Sequence, residues 1–304
     1  MRRALAVGCS ALLVAACSRG VARVTSRPGD AVVAIGSFNF AESRLLAELY
    51  AQAIERAGLR VQREFDVGTR ELVEPALERG LVELVPEYQG SLLTFLTAES
   101  AGSDPAEVHT ALEDAVRERG LTALDAAPAQ DRNTVVVTAD AASRWGLRTV
   151  SDLRRVDQRF AFGGPPECPD RPLCLQGLSS HYGLSFERFV GLDEGGPVTV
   201  DALMRDHVQA ALMFSSDGAI RANDLAVLRD DRHLQPAENV TPVVRTDVLD
   251  RFGPELADAV DAVSAMLTTE VLRTLNELVS VRGRSPSTVA AEWLDGRGPA
   301  AEDR

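Results

Sequence analysis

Apolar and polar positions along the chain switch between two periods. "AVVAIG" (31–36) is a continuous apolar run of strand length. The segment after it sets Leu45, Leu46, Leu49, Tyr50, Ala53, Ile54 and Ala57 on one stripe at helical spacing, ended by Gly58. "RVQREF" (60–65) predicts a strand, "TRELVEPALERG" (69–80) a helix closed by glycine, "LVELVP" (81–86) a third strand, and "GSLLTFLTA" the start of another helix. Strands alternating with helices at this interval predict a parallel α/β sheet, with ligands bound beyond the carboxyl ends of the strands, beside helix N-termini.

A second block opens at "DRNTVVVT" (131–138), an apolar strand after the loop "APAQ". "RFAFGG" (159–164), a helix around 173–182, "ERFVGL" (187–192), a helix at 199–206 and "VQAALMF" (208–214) follow, then "TPVVRTDVL" (241–249) and three amphipathic helical stretches over roughly 254–295. The first block holds too few elements to close its own sheet. A chain that crosses to a second unit and returns would complete it.

The N-terminus changes the setting. "MRRALAVGCSALLVAACSRG" has two arginines, a short apolar run from Ala4 to Ala16, and then Cys17, the form of a secretory signal rather than a membrane span. Small residues before Cys17 in "LVAAC" match a lipoprotein cleavage site. The reading is a signal peptide over 1–16, lipidation at Cys17 and a polar tether over 17–30; cleavage nearby, with Cys17 incidental, is the plainer alternative. The net charge of −13 becomes −15 without Arg2 and Arg3, 30 basic against 45 acidic residues. That balance argues against nucleic acid and against a polybasic lipid contact. The chain has no lysine, which excludes Schiff-base chemistry and a Walker-type phosphate loop.

"GGPPECPDRPLCLQGL" (163–178) carries two cysteines six positions apart around Arg171. Metal site, redox pair and structural staple are the options. The four histidines are scattered and no H-E-x-x-H occurs, so no metal site is read. The spacing is not C-x-x-C. With Cys9 removed and Cys17 lipidated, Cys168 and Cys174 form an even pair outside the cytosol, and a disulfide is expected. Closing so short a loop contributes at most ~2–3 kcal/mol.

Six fragments then occur in order: "AIGSFNFAESRLLAELYAQAIERAG", "LVELVPEYQGSLLTFL", "DRNTVVVT", "FGGPPE", "FSSDG" and "TPVVR". Together they resemble the substrate-binding lipoproteins of osmoprotectant ABC importers, which take up glycine betaine, choline, carnitine and similar quaternary amines. The resemblance implies a type II periplasmic-binding-protein fold: two α/β lobes, two crossovers and a ligand cleft between them. It implies lobe 1 over 31–130 plus 235–304 and lobe 2 over 131–234. A monomer held on the outer face of the cytoplasmic membrane, a permease and an ATPase as partners, and no cofactor or metal complete that picture.

A quaternary ammonium has no hydrogen to donate, so its recognition needs aromatic faces, worth ~0.5–2 kcal/mol each, or a nearby carboxylate. A ligand carboxylate needs arginine, hydroxyls or helix N-terminal amides. The family's "PEYTGT"-like motif is "PEYQGS" here, giving Tyr88 as a cage wall and Ser91 as the carboxylate contact. In "GSFNFAES", Phe38 stands where the family has a lysine and Ser43 where it has a glutamine, while Ser37 or Asn39 is placed to cap the next helix. The family arginine after "GPPE" falls on Arg171. Family tyrosines become Phe214, Asn133 and Glu238, thinning the cage toward Tyr88, Phe214 and Phe38. Glu238 would then meet a cation by charge, and an amine or amino acid with N–H donors becomes the alternative ligand. No G-x-S-x-G, S-x-x-K or Cys–His pair supports an enzyme. An extracytoplasmic hydrolase is the remote alternative, and a tethered receptor without transport is a third.

Overall fold

In the computed structural model of the chain, the described residues are 31–193 and 195–296. The signal segment, the tether and Cys17 lie outside them. The apolar run that opens the chain becomes β1 (Val32–Phe38). The leucine stripe becomes α1 (Ala41–Arg56), followed closely by Gly58 at φ 86°, where a side chain would be strained. β2 (Arg60–Gly68), α2 (Arg70–Glu78), β3 (Leu84–Tyr88) and α3 (Gln89–Thr97) continue the alternation. The strand expected at 81–86 starts three residues late. Gly80 at φ 72° closes α2 and leaves Leu81 exposed in the turn. α4 (Pro105–Arg117) starts at Asp104, whose carboxylate accepts from the Ala106 and Glu107 amides, with proline in the first turn.

After β4 (Leu121–Ala123) the chain crosses to a second sheet. There it builds β5 (Asn133–Thr138), α5 (Ala139–Trp145), β6 (Ala161–Gly164), α6 (Leu175–Tyr182), β7 (Arg188–Gly191), α7 (Pro197–Met204), β8 (Ala210–Phe214), α8 (Gly218–Ala222) and β9 (Leu225–Leu228). It returns as β10 (Val240–Arg245) and ends in α9 (Thr246–Phe252), α10 (Pro254–Met266), α11 (Thr269–Asn276), a π-helical turn (Glu277–Val281) and α12 (Pro286–Leu294).

Each sheet has five strands, ordered β2-β1-β3-β10-β4 and β7-β6-β8-β5-β9. The sheets are mixed, not parallel as the alternation predicts. β10 runs antiparallel between β3 and β4, and β5 antiparallel between β8 and β9. Both are strands that arrive directly from the other sheet, so no crossover helix sets their direction. The result is the type II arrangement: two α/β lobes and two connecting strands. One apolar core surrounds the first sheet, and the second sheet is covered on both faces.

The connecting strands pair with each other. The Asp131 amide donates to the Glu238 carbonyl at 3.0 Å and the Val240 amide to the Ala129 carbonyl at 3.0 Å. Two adjacent extended segments therefore link the two sheets. The Cys168–Cys174 disulfide is present, and both residues are buried in the second lobe's core.

Candidate functional site

A cleft of about 1210 Å³ takes its lining from both lobes. Its first wall is aromatic. Phe38 ends β1 and stacks on Phe40 at 5.8 Å between ring centres, 6° from parallel; Phe40 stacks on Tyr88, which ends β3, at 6.3 Å. Phe40 is 41% exposed while Phe38 and Tyr88 are buried, so Phe40 is the ring of this stack that offers accessible surface to the cleft. Phe214, at the end of β8, lines the same cleft from the second lobe. These positions follow from the fold, because strand ends deliver side chains to the crevice.

Acidic groups lie next to the rings. The Tyr88 hydroxyl donates to Glu42 Oε1 at 2.5 Å, and the Asn276 amide nitrogen donates to Glu42 Oε2 and to the Ser216 carbonyl. The Ser216 hydroxyl donates to Asp131 Oδ1 at 2.6 Å. Both carboxylates line the cleft. Burial pushes Glu42 above its ordinary value, against the hydrogen bonds it accepts. Burial, with the Glu42 charge adding to it, pushes Asp131 well above its own. Burial likewise pushes the Tyr88 phenol up.

Arg70 also lines the cleft, but Glu87 holds it, Nε donating to Oε1 at 3.1 Å and to Oε2 at 3.3 Å and Nη2 to Oε2 at 2.8 Å. Its guanidinium lies 5.3 Å from the Phe38 ring centre. Gly90 allows α3 to start against the returning strand. A Cβ there would come within 2.5 Å of the Ala237 carbonyl oxygen.

Of the residues expected from the sequence, Phe38, Asn39, Tyr88, Ser91 and Phe214 come together on the cleft. Glu238 is buried, and its carboxylate accepts from the Ser91 amide at 3.0 Å and the Ser91 hydroxyl at 2.8 Å. It reaches the site through Ser91 and is not itself part of the lining. Asn133 borders a separate cavity of about 10 Å³ beside Tyr182 and Asp230. Arg171 is exposed and off the cleft lining, because both cysteines of its loop are tied into the second lobe's core.

Sequence reasoning missed Phe40, Glu42, Asp131 and Asn276. Phe40 and Glu42 sit inside the quoted "GSFNFAES" and were open to notice as an aromatic and an acid at a helix start. Nothing local marks Asn276, which meets Glu42 across 234 positions.

The sequence profile of the family described as "Substrate binding domain of ABC-type glycine betaine transport system" matches residues 31–296. The chain is 29% identical over 301 residues to the glycine-betaine-binding protein of Pseudomonas aeruginosa, across 96% of this chain and 93% of that one. It is 28% identical to the glycine betaine-binding protein YehZ of Escherichia coli, across 88% and 90%. A solved glycine betaine/carnitine/choline ABC transporter structure superposes with a TM-score of 0.83 at 25% identity, over 87% of this chain and 98% of that one. Lactococcal OpuAC, closed around glycine betaine, shares the fold at a TM-score of 0.56 and 15% identity, over 88% and 96%.

Proposed function

This chain belongs to the family of substrate-binding domains of ABC-type glycine betaine transport systems, and from that premise we propose how its cleft works. It captures a small quaternary-amine osmoprotectant, with the ammonium on the Phe38–Phe40–Tyr88 stack and Phe214 closing from the second lobe. Glu42 and Asp131 balance its charge. The observation that carries this reading is a stack of three rings, with Phe40 exposed, beside two buried carboxylates in one cleft. Aromatic faces bind a cation that has no proton to donate, and desolvated carboxylates strengthen that attraction.

The family is one of transport proteins and not of enzymes, and its members work outside the cytoplasm. No described helix is long and apolar enough to cross a membrane. Our reading is a binding protein without catalysis, tethered by lipid at Cys17 to the outer face of the cytoplasmic membrane. It hands its ligand to a permease driven by a cytosolic ATPase. Lobe 1 is 31–130 plus 235–304 and lobe 2 is 131–234, closing on the ligand about the two connecting strands.

A second reading, an amine with N–H donors, draws on the same two carboxylates. Calorimetric titration with glycine betaine, choline, carnitine, common amino acids and polyamines separates them. Saturable binding of the quaternary amines, lost in Tyr88→Ala, supports the first reading. Binding confined to N–H-bearing amines replaces it with the second.

A further inference from the structure

We propose that the cleft selects a carboxylate-free quaternary cation with a hydroxyl, of the choline type, over the zwitterion glycine betaine, and that Glu238 sets this preference. The inference rests on the quaternary-amine reading and narrows it.

A zwitterion brings a carboxylate, which needs donors. Helix N-termini around the cleft are the natural source, yet the protein's own acids already occupy three of them. Glu238 takes the amide and hydroxyl of Ser91 in the first turn of α3. Asp193 takes the Val198 amide at 3.0 Å and the Thr199 amide at 2.8 Å at the start of α7. Asp217 takes the Ala219 amide at 2.8 Å at the start of α8. The cleft-lining arginine, Arg70, has its planar fork engaged by Glu87. The α1 N-terminus has no side-chain cap, but Glu42 stands in its first turn with its carboxylate buried in the site. The α2 N-terminus, at Thr69 on the cleft lining, also has no side-chain cap, and Glu71 stands in its first turn. A ligand carboxylate would therefore enter a pocket of acids in which Glu238, Asp193, Asp217 and Glu87 already hold the Ser91, α7, α8 and Arg70 donors.

An acceptor, by contrast, is available. Asn276 lines the cleft and donates its amide hydrogens to Glu42 and the Ser216 carbonyl, which fixes the orientation of the amide. Its buried Oδ1 has no hydrogen-bond partner among the described residues. A buried acceptor left unpaired favours a ligand that brings a donor. Choline brings one hydroxyl donor and one positive charge; glycine betaine brings no donor and a negative end.

Glu238 is the informative member because it occupies the position where a ligand carboxylate would bind at Ser91. Calorimetric titration of the wild type, Glu238→Gln and Glu238→Ala with choline and with glycine betaine tests the proposal, with thermal melts confirming that each variant is folded. The wild type is expected to bind choline at least about tenfold more tightly, as for a site whose polar groups match one ligand and not its analogue. Freeing Ser91 in Glu238→Ala should close most of that gap by strengthening glycine betaine, and Glu238→Gln should close it partly. Glycine betaine bound as tightly as choline by the wild type overturns the selectivity and leaves the quaternary-amine reading standing. An unchanged ratio in both folded variants overturns the role of Glu238. Silence toward both ligands in the folded wild type overturns the quaternary-amine reading, and this proposal with it.

Discussion

Asp131 shows how one residue ties stability to binding. Its carboxyl is pushed well above the ordinary carboxylate value, mainly by burial and then by Glu42. The folded chain therefore keeps a proton that the unfolded chain releases. Its contribution to stability is greatest at low pH and is lost as pH rises from the ordinary value near 4 through the raised one. Asp131→Asn should thus melt higher than the wild type at pH 8 without ligand, and the difference should close toward pH 4. Binding runs the other way, because a cation favours the ionised form. Wild-type affinity should increase with pH across the same interval, and the variant should be weaker and flatter. Melts and titrations at three pH values check both signs; a variant that is destabilised at pH 8 removes the argument. Glu74 follows the same stability logic away from the cleft. Burial and the neighbouring Glu78 push it up to about 7. Glu74→Gln should add about 1 kcal/mol at pH 8, roughly 2–4 °C in a chain of this size, and little at pH 4.

Among the elements, the strand–loop–helix that begins with β1 does most to build the site. It supplies two of the three stacked rings and Glu42. Phe40→Ala should weaken binding of a quaternary cation about 3- to 30-fold, the worth of one ring face. An unchanged affinity would remove Phe40 from the site. The disulfide loop makes a contrasting case. Breaking it in Cys168→Ser/Cys174→Ser should lower the melting temperature through a loss of up to ~2–3 kcal/mol, with affinity at 10 °C changing less than the melting point suggests. A large loss of affinity with little loss of stability would return Arg171 to the site.

These elements also show what could be read in advance. β1, α1, β2 and α2 were legible because apolar runs and leucine stripes alternate there with glycine stops. β4 and β9 have three and four residues and carry no periodicity of their own. The antiparallel strands β5 and β10 look like any apolar run, since direction is fixed by where the chain has just been. Tyr88, Phe38 and Phe214 were legible from local motifs. The Glu42–Asn276 and Ser91–Glu238 pairs were not, because their partners lie 234 and 147 positions apart.

At the scale of the whole molecule, the cleft contains apolar surface that one lobe alone cannot cover. Phe40 and Val281 belong to the first lobe and Met204 to α7 of the second. All three line the cleft, with Met204 53% and Val281 50% exposed. A small cation can cover only part of this surface, and lobe closure would cover the rest. Burial of apolar area on binding makes the heat-capacity change negative. Titration between 10 and 35 °C should therefore give a heat-capacity change more negative than ligand burial alone accounts for. Met204→Ser should make it less negative and weaken binding, although Met204 stands at the opposite lobe from the ring stack. Asp131 lines the cleft and sits on one of the paired connecting strands, so charge neutralisation in the cleft acts on a segment about which we propose the lobes close. Small-angle scattering should then show the radius of gyration falling when ligand is added to the wild type, and falling less with Asp131→Asn at the same fractional saturation. An identical contraction in both would mean that the rings, and not the Asp131 carboxylate, drive closure.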